Sequence, residues 1–331
     1  MPALRGVPGG GGPARRRERL RPVPRRPTQG ASPPPWSLAA GLAGLALLAG
    51  LAGCAPAPDA HVPPFARVPY QPISRASIVA IALREWRLWG SRVDDAPPDQ
   101  RPPPAPDAKP ERWPGLWQRV GEYWWLGMNA GTKESRWTGK HDAAGRVFPA
   151  DRDGHYAWSA AFVSYVMRIA GAGARFPYSD AHATYIDIAK EMTDGTANGW
   201  LIAAAAPDAY APQPGDLICL GRGAAARLTY ADLPAGRFPA HCDIVTAAPS
   251  PGAPAPALTV PALAVPALAV PTLAVVGGNV DDAVTMKHVP VTAAGRLAGP
   301  DGQVLDPRYP WMVVLRLLLP PEADDAARPA R

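Results

Sequence analysis

In this 331-residue chain, one serine and several histidines between residues 155 and 243 are candidates for catalytic side chains. Hydroxyl and imidazole groups are common partners in nucleophilic and acid–base catalysis. One candidate strand contains His241 and Asp243, and alternation with a period of two places both side chains on one face. Cys242 lies between them and points to the opposite face. We therefore do not expect Cys242 to be a nucleophile in the same cleft.

Four short motifs follow one another along the chain. They are Trp158-Ser159-Ala160-Ala161-Phe162-Val163, Pro214-Gly215-Asp216-Leu217, His241-Cys242-Asp243-Ile244-Val245 and Gly277-Gly278-Asn279-Val280. Their order resembles that of papain-like bacterial cell-wall hydrolases, the CHAP amidases and NlpC-type endopeptidases. More narrowly, the chain is identified as a member of the bacterial family DUF2272 over residues 73–319. The resemblance implies a papain-like fold and hydrolysis of an amide or peptide bond.

The resemblance also implies catalytic roles for three residues. The nucleophile of these hydrolases is a cysteine at a helix N-terminus, where the helix dipole and free N–H groups favour negative charge. Ser159 occupies that position here. His241 corresponds to the histidine that takes the proton of the nucleophile, and Asn279 to the polar residue that orients the imidazole.

A serine at position 159 has two interpretations. As a nucleophile, its hydroxyl is far less acidic than a thiol, so it needs concerted removal of its proton and a well-formed oxyanion hole. Serine is also a preferred N-cap, and a cap would explain Ser159 without any reaction. The sequence leaves both interpretations open.

Two further histidines and a tryptophan are candidates for the same cleft as Asp243. His155 lies four residues before Ser159, although a loop histidine without a role explains it equally well. Trp158 directly precedes the serine. His182 either lines the site or merely begins a helix.

Three arginines lie between the runs that contain Cys219 and His241. They are Arg222, Arg227 and Arg237. Their guanidinium groups could pair with a peptide carboxylate. The alternative is a solvated loop without a binding role.

The cysteines predict no metal site, because neither a CxxC nor an HxxxH spacing occurs in the sequence. No cofactor is expected. Cys219 and Cys242 each lie in a short apolar, strand-like run. If those strands pair, the two sulfurs could form a disulfide, and the alternative is two buried free thiols.

Residues 1–53 have the pattern of a signal peptide with an arginine-rich start, followed by an uncharged apolar run. Its end, Leu51-Ala52-Gly53-Cys54, resembles the lipobox of bacterial lipoproteins. That resemblance implies cleavage before Cys54 and lipid attachment to its thiol. The alternative is a single transmembrane anchor. Ala55 rather than aspartate follows the cysteine, so the expected location is the cell envelope, lipid-anchored in the outer membrane and facing the periplasm.

The formal charge of +6 belongs to this leader, because eight arginines and one acid lie within its first 30 residues. From Cys54 onward, 26 basic residues stand against 27 acidic ones. The mature chain therefore has no excess charge for a nucleic acid, which we exclude as a partner. Peptidoglycan or an envelope protein is the expected partner, with membrane contact through the lipid on Cys54.

Helices are predicted first and strands afterwards, which indicates an α+β fold with N-terminal helices packed on an antiparallel sheet. Helices are expected at 74–89, 113–128, 156–171 and within 178–192, and strands at 216–220, 242–247, 273–277, 283–291 and 311–319.

The remaining segments are tethers, an insertion and a tail. A Pro/Ala-rich tether at 54–72 precedes the domain at 73–319. Within the domain, residues 260–275 repeat Val-Pro-Ala-Leu-Ala three times, the last time as Val-Pro-Thr-Leu-Ala, and the regular prolines predict a low-complexity insertion at 248–272 between two strands. Residues 320–331 are expected to be a disordered tail.

The expected function is therefore that of a cell-envelope lipoprotein hydrolase acting on an amide or peptide bond, with peptidoglycan as the substrate. A protein of another class remains the alternative. It would be a non-catalytic lipoprotein that binds peptidoglycan or a protein through a degenerate papain-like cleft.

Overall fold

A computed structural model of the chain describes residues 72–100, 105, 108–128, 132–249 and 270–319. All of them belong to the unit Pro69–Arg331. The predicted signal peptide, Cys54, the tether up to residue 71 and the tail 320–331 lie outside the described residues. No helix in the part described is long and apolar enough to cross a membrane.

The described residues contain four α-helices before the sheet. Three lie within segments where the sequence predicts a helix, and the fourth extends two residues beyond the predicted segment 178–192. The first is capped by Ser74, whose hydroxyl oxygen accepts the N–H of Ser77 at 3.0 Å. The third is buried from Ser159 to Met167, because small and apolar side chains surround its axis. The helices are α1 (Arg75–Leu88), α2 (Leu116–Gly127), α3 (Ser159–Ile169) and α4 (His182–Asp194).

Within the described ranges, six strands form one antiparallel sheet in the order β1-β6-β2-β3-β4-β5. Five of them occur where the sequence predicts strands. The edge strand β1 was not predicted, because three of its four residues are alanines, which have little strand propensity. The strands are β1 (Ile202–Ala205), β2 (Leu217–Gly221), β3 (Ala240–Ala247), β4 (Thr272–Val280), β5 (Ala283–Pro290) and β6 (Trp311–Leu317).

The fold is α+β, as predicted, and its core is divided by the alternation of side chains along the strands. Cys242 and Ile244 of β3 pack in a large cluster with residues of all four helices, whereas Val245 belongs to a second cluster. That second cluster contains Leu297 and Tyr309 from the segment between β5 and β6. Both clusters bury apolar surface, which is the main stabilising contribution to such a domain.

The predicted insertion connects two neighbouring strands. β3 ends at Ala247 and β4 begins at Thr272, and these strands pair with each other. Residues 250–269 of the insertion lie outside the described residues.

Candidate functional site

Ser159 is the first residue of α3, and Trp158 is the residue that caps this helix. The side chain of Trp158 makes no capping hydrogen bond, and Ser159 is already inside the helix. Its Oγ instead lies 2.6 Å from Nε2 of His182. Ser159 therefore does not serve as the N-cap that its residue type suggested, and its hydroxyl is paired with an imidazole.

His182 begins α4 and also contacts Ser159, so both of the roles that the sequence left open for it, lining the site and starting a helix, apply. Its Nδ1 is hydrogen-bonded to the hydroxyl of Tyr185, one turn further along the helix. In the tautomer with the proton on Nδ1, the imidazole donates to Tyr185, and Nε2 accepts from Ser159. Burial holds the pKa of His182 well below its ordinary value of 6.5, and the nearby His241 lowers this pKa further. The imidazole is therefore neutral at pH 7 and able to accept a proton.

A second histidine stands on β3 beside this pair. The rings of His182 and His241 are in T-shaped contact, with 5.4 Å between their centroids. Nε2 of His241 lies 2.9 Å from Oδ1 of Asp243, as expected for two side chains on the same face of a strand. Burial keeps the pKa of His241 below 6.5, although Asp243 acts to raise it.

Asp243 is fully buried, and its negative charge is stabilised by a lysine on β5. The ammonium group of Lys287 lies 2.6 Å from Oδ2 of Asp243. Burial acts to raise the pKa of Asp243, but Lys287 and His241 together hold this pKa well below its ordinary value of 3.8. The carboxylate is therefore ionised and fixes the orientation of the His241 ring.

These contacts differ from the expected catalytic arrangement in two respects. The hydroxyl of Ser159 is bonded to His182 and not to His241, because the start of α4 brings His182 against the start of α3. Asp243 and not Asn279 holds the imidazole of His241, and no hydrogen bond joins Asn279 to either histidine within the described ranges. The register of β4 shifts between Gly277 and Val280, and Asn279 has a φ of 55°, so regular alternation does not apply there.

The two glycines before Asn279 have a physical explanation in the packing around the site. A Cβ atom on Gly277 would lie 1.9 Å from Oδ1 of Asp243. A Cβ atom on Gly278 would lie 2.5 Å from Cβ of Phe162 in α3. Only residues without a side chain allow β4 to approach both the buried carboxylate and the serine-bearing helix so closely.

Trp158 positions the start of α3 and does not face the site as a contact surface. It is 1% exposed, stacks on Trp89 with 5.2 Å between ring centroids, and donates its indole N–H to Oε2 of Glu111 at 2.5 Å. Burial raises the pKa of Glu111 to about 8, and Asp282 and Asp153 raise it as well. Glu111 is therefore protonated at pH 7.

His155, the other candidate for the cleft, is exposed in the 3-10 helix Ala150–Tyr156. Neither a hydrogen bond nor a ring contact joins it to Ser159 or His182 among the residues described. The structure therefore leaves His155 outside the paired groups.

An open cleft of about 170 Å³ lies next to the second histidine. Neither Ser159 nor His182 is among the residues that line this cleft, but His241 is, and its ring is in contact with that of His182. The residues that line the cleft are Pro98, Leu220, Arg222, His241, Asn279, Val280, Asp281, Lys287 and Tyr309.

The backbone N–H groups of Ala160 and Ala161 in the first turn of α3 have no acceptor within the described part of the chain.

Cys219 and Cys242 form a disulfide. Cys219 of β2 and Cys242 of β3 are directly opposite each other in the strand pair, and both are fully buried. Of the two alternatives that the sequence left open, the structure has the disulfide. Among the described residues, no three His, Cys, Asp or Glu side chains are grouped so that they could hold a metal ion.

Sequence reasoning missed three residues that shape the site. Tyr185 had a signal, because it lies three residues after His182 on a predicted helix. Lys287 also had one, as the one lysine of a largely apolar strand, which predicts a buried partner. Glu111 had none, because nothing local indicates that it reaches Trp158.

Residues 111–317, more than half of the chain, match a protein-family model described as "Uncharacterized protein conserved in bacteria (DUF2272)". No curated protein and no solved structure matches the chain.

Proposed function

Because this chain belongs to the DUF2272 family, whose members are described as uncharacterised, we propose a function from its own site: it is a serine hydrolase that cleaves an amide or peptide bond. The observation that carries the proposal is the 2.6 Å contact between Oγ of Ser159, the first residue of α3, and the neutral, buried His182, the first residue of α4. A nucleophile within hydrogen-bond reach of a base that is itself held by a third group is the arrangement of activated serines.

The first step is acylation of Ser159. Its oxygen bonds to the substrate carbonyl carbon while Nε2 of His182 takes the hydroxyl proton. The oxyanion that forms faces the free N–H groups of Ala160 and Ala161 at the positive end of α3. His182 then returns the proton to the leaving nitrogen as the C–N bond breaks. The products are a free amine and an ester on Ser159.

The second step is hydrolysis of that ester, and His241 suits it because it lies at the cleft. Asp243 binds its Nε2, and within the described ranges no residue binds its Nδ1. Nδ1 accepts a proton from the attacking water, whose oxygen bonds to the acyl carbon. The ester C–O bond then breaks, and the proton held on Nδ1 of His241 passes to the departing Ser159 oxygen, which releases a carboxylic acid and restores the serine hydroxyl.

The proposed setting is the cell envelope, with peptidoglycan as the substrate and a lipid on Cys54 as the anchor in the outer membrane. The leader pattern of residues 1–53 and the lipobox-like sequence support this setting. The Cys219–Cys242 disulfide supports an oxidising compartment. A helix-borne nucleophile packed against antiparallel strands that carry a histidine supports the proposed papain-like architecture.

Digestion of purified muropeptides with the mature protein tests the activity. We expect new amine and carboxylate termini with the wild type, and a loss of at least 10³-fold in rate with Ser159→Ala. Ser164→Ala is the matched control, because Ser164 lies in the same helix but bonds to the backbone of Ser179. Equal product yields from wild type and Ser159→Ala would overturn the proposal.

The second candidate is a non-catalytic binding protein, and the burial of the pair favours it. Ser159 is 5% exposed and His182 is 4% exposed, so both are largely shielded from solvent. For this candidate we expect the protein to be retained on peptidoglycan sacculi without turnover. Absence of retention, or release of fragments that depends on Ser159, would contradict it.

A further inference from the structure

Of the three arginines between β2 and β3, only Arg222 lines the cleft with His241 and Asn279. On the basis of the proposed hydrolase function, we propose that Arg222 binds a carboxylate of the substrate. It thereby selects substrates that have a free carboxylate close to the scissile bond. Arg227 ends the 3-10 helix Gly223–Arg227, and Arg237 is exposed in the segment before β3.

The backbone of Arg222 is fixed, although its side chain is exposed. Its N–H donates to the carbonyl of Pro239 at 2.9 Å, and its carbonyl accepts the N–H of Ala225 at 3.0 Å. A Cβ atom on Gly221 would lie 2.0 Å from the carbonyl oxygen of Ala225, so this turn closes tightly at the end of β2. The origin of the arginine side chain is therefore held at the rim of the cleft.

Of the two cationic side chains that line the cleft, Arg222 is the one available to bind a substrate. Lys287 also lines the cleft, but its ammonium is paired with Asp243 and is 1% exposed on its side chain. Asp281 is the acid on the lining, and no ion pair joins it to Arg222 among the residues described. The positive charge of Arg222 acts on both imidazoles, because it helps to lower the pKa of His182 and the pKa of His241.

A guanidinium group matches this task because its two parallel N–H donors bind both oxygens of a carboxylate. The Asn279 side-chain amide on the same lining offers a further donor. A substrate carboxylate bound there lies beside His241. Its binding therefore holds the amide bond of the same substrate close to the groups that react with it. The peptide stems of peptidoglycan carry several free carboxylates and fit this class of substrate.

The test compares a disaccharide-tetrapeptide muropeptide with the same compound after amidation of its carboxylates. We expect the wild type to hydrolyse the acid form with about a tenfold to a hundredfold higher kcat/KM, as for the loss of a hydrogen-bonded charge. Arg222→Gln should remove this preference by slowing the acid form alone, and Arg222→Lys should restore part of it. Arg227→Gln, the control, should keep the preference of the wild type.

The outcomes separate this inference from the proposed function. Equal rates for both compounds with the wild type, or an equal loss for both with Arg222→Gln, would overturn the role of Arg222 alone. Turnover of neither compound would overturn the hydrolase, and calorimetric binding of the same compounds to the wild type then tests Arg222. Tighter binding of the acid form that Arg222→Gln abolishes supports the carboxylate site, and equal affinities contradict it.

Discussion

At the residue scale, the two histidines differ in what holds them. His182 is bound by Ser159 of α3 and by Tyr185 of its own helix, whereas His241 is bound by Asp243 on its own strand. Only His182 can take the serine proton directly. The division of proton transfers between the two rings follows from these partners.

Substitution of either histidine should therefore block a different step. His182→Ala should reduce acylation of Ser159 by at least a hundredfold, because no base accepts the hydroxyl proton. His241→Ala should slow hydrolysis of the ester more than its formation, so an acyl-enzyme accumulates. Rapid-quench mass spectrometry of the protein with an activated ester substrate measures both steps. Accumulation of the adduct in His182→Ala and not in His241→Ala would reverse the two assignments.

The pH dependence of the rate follows from the lowered pKa of His182. Its folded pKa lies below 6.5, so the imidazole stays neutral and active as the pH falls through 6.5. We expect the acid limb of the kcat/KM profile to have its midpoint below pH 6.5. A midpoint at or above this value would show that a less buried histidine is the base.

At the element scale, the site depends on how closely β4 approaches α3. Gly278 faces Phe162 of α3, and Gly277 faces Asp243 of β3. The two glycines of the Gly-Gly-Asn motif thus allow close packing, and the asparagine, Asn279, lines the cleft. The same contact holds the serine-bearing helix against the histidine-bearing strand.

Gly278→Ala should lower the free energy of unfolding by about 1–3 kcal/mol, because the added methyl group overlaps Phe162. Urea titration followed by circular dichroism measures this change. Gly154→Ala is the control, because a Cβ atom there meets no atom within 4 Å. Equal stabilities of the two variants would contradict the close approach of β4 and α3.

The helices and most strands could be predicted from the sequence because their apolar periodicity is local. The end of α3 at Ile169 and the cap at Ser74 follow the same rules. The pairing of Ser159 with His182 could not be predicted, because it depends on how α3 and α4 pack. β1 was missed because its alanines carry little strand signal.

At the scale of the whole molecule, buried ionisable side chains join segments that are distant in the sequence. Glu111 is 2% exposed and bonds to Trp158, which joins the segment before α2 to the start of α3. Asp243 and Lys287 join β3 to β5. These groups link global stability to the geometry of the site.

The raised pKa of Glu111 makes stability depend on pH in a defined direction. Its folded pKa of about 8 exceeds the ordinary value of 4.5, so the folded protein keeps a proton that the unfolded chain releases. This contribution is complete below pH 4.5 and is lost as the pH rises through about 8. We expect a lower free energy of unfolding at about pH 9 than at about pH 6, and a smaller difference in Glu111→Gln. The same pH dependence in both proteins would contradict a protonated Glu111.

Labelling of Ser159 by a fluorophosphonate probe tests the central claim most directly. The mature protein is incubated with the probe, and peptide mass spectrometry locates the adduct. We predict a phosphonyl group on Ser159 in the wild type and none on this residue in His182→Ala, because the probe reacts only with a serine whose proton a base removes. An unlabelled Ser159 in the wild type, in a sample where an added serine hydrolase is labelled, would contradict the account.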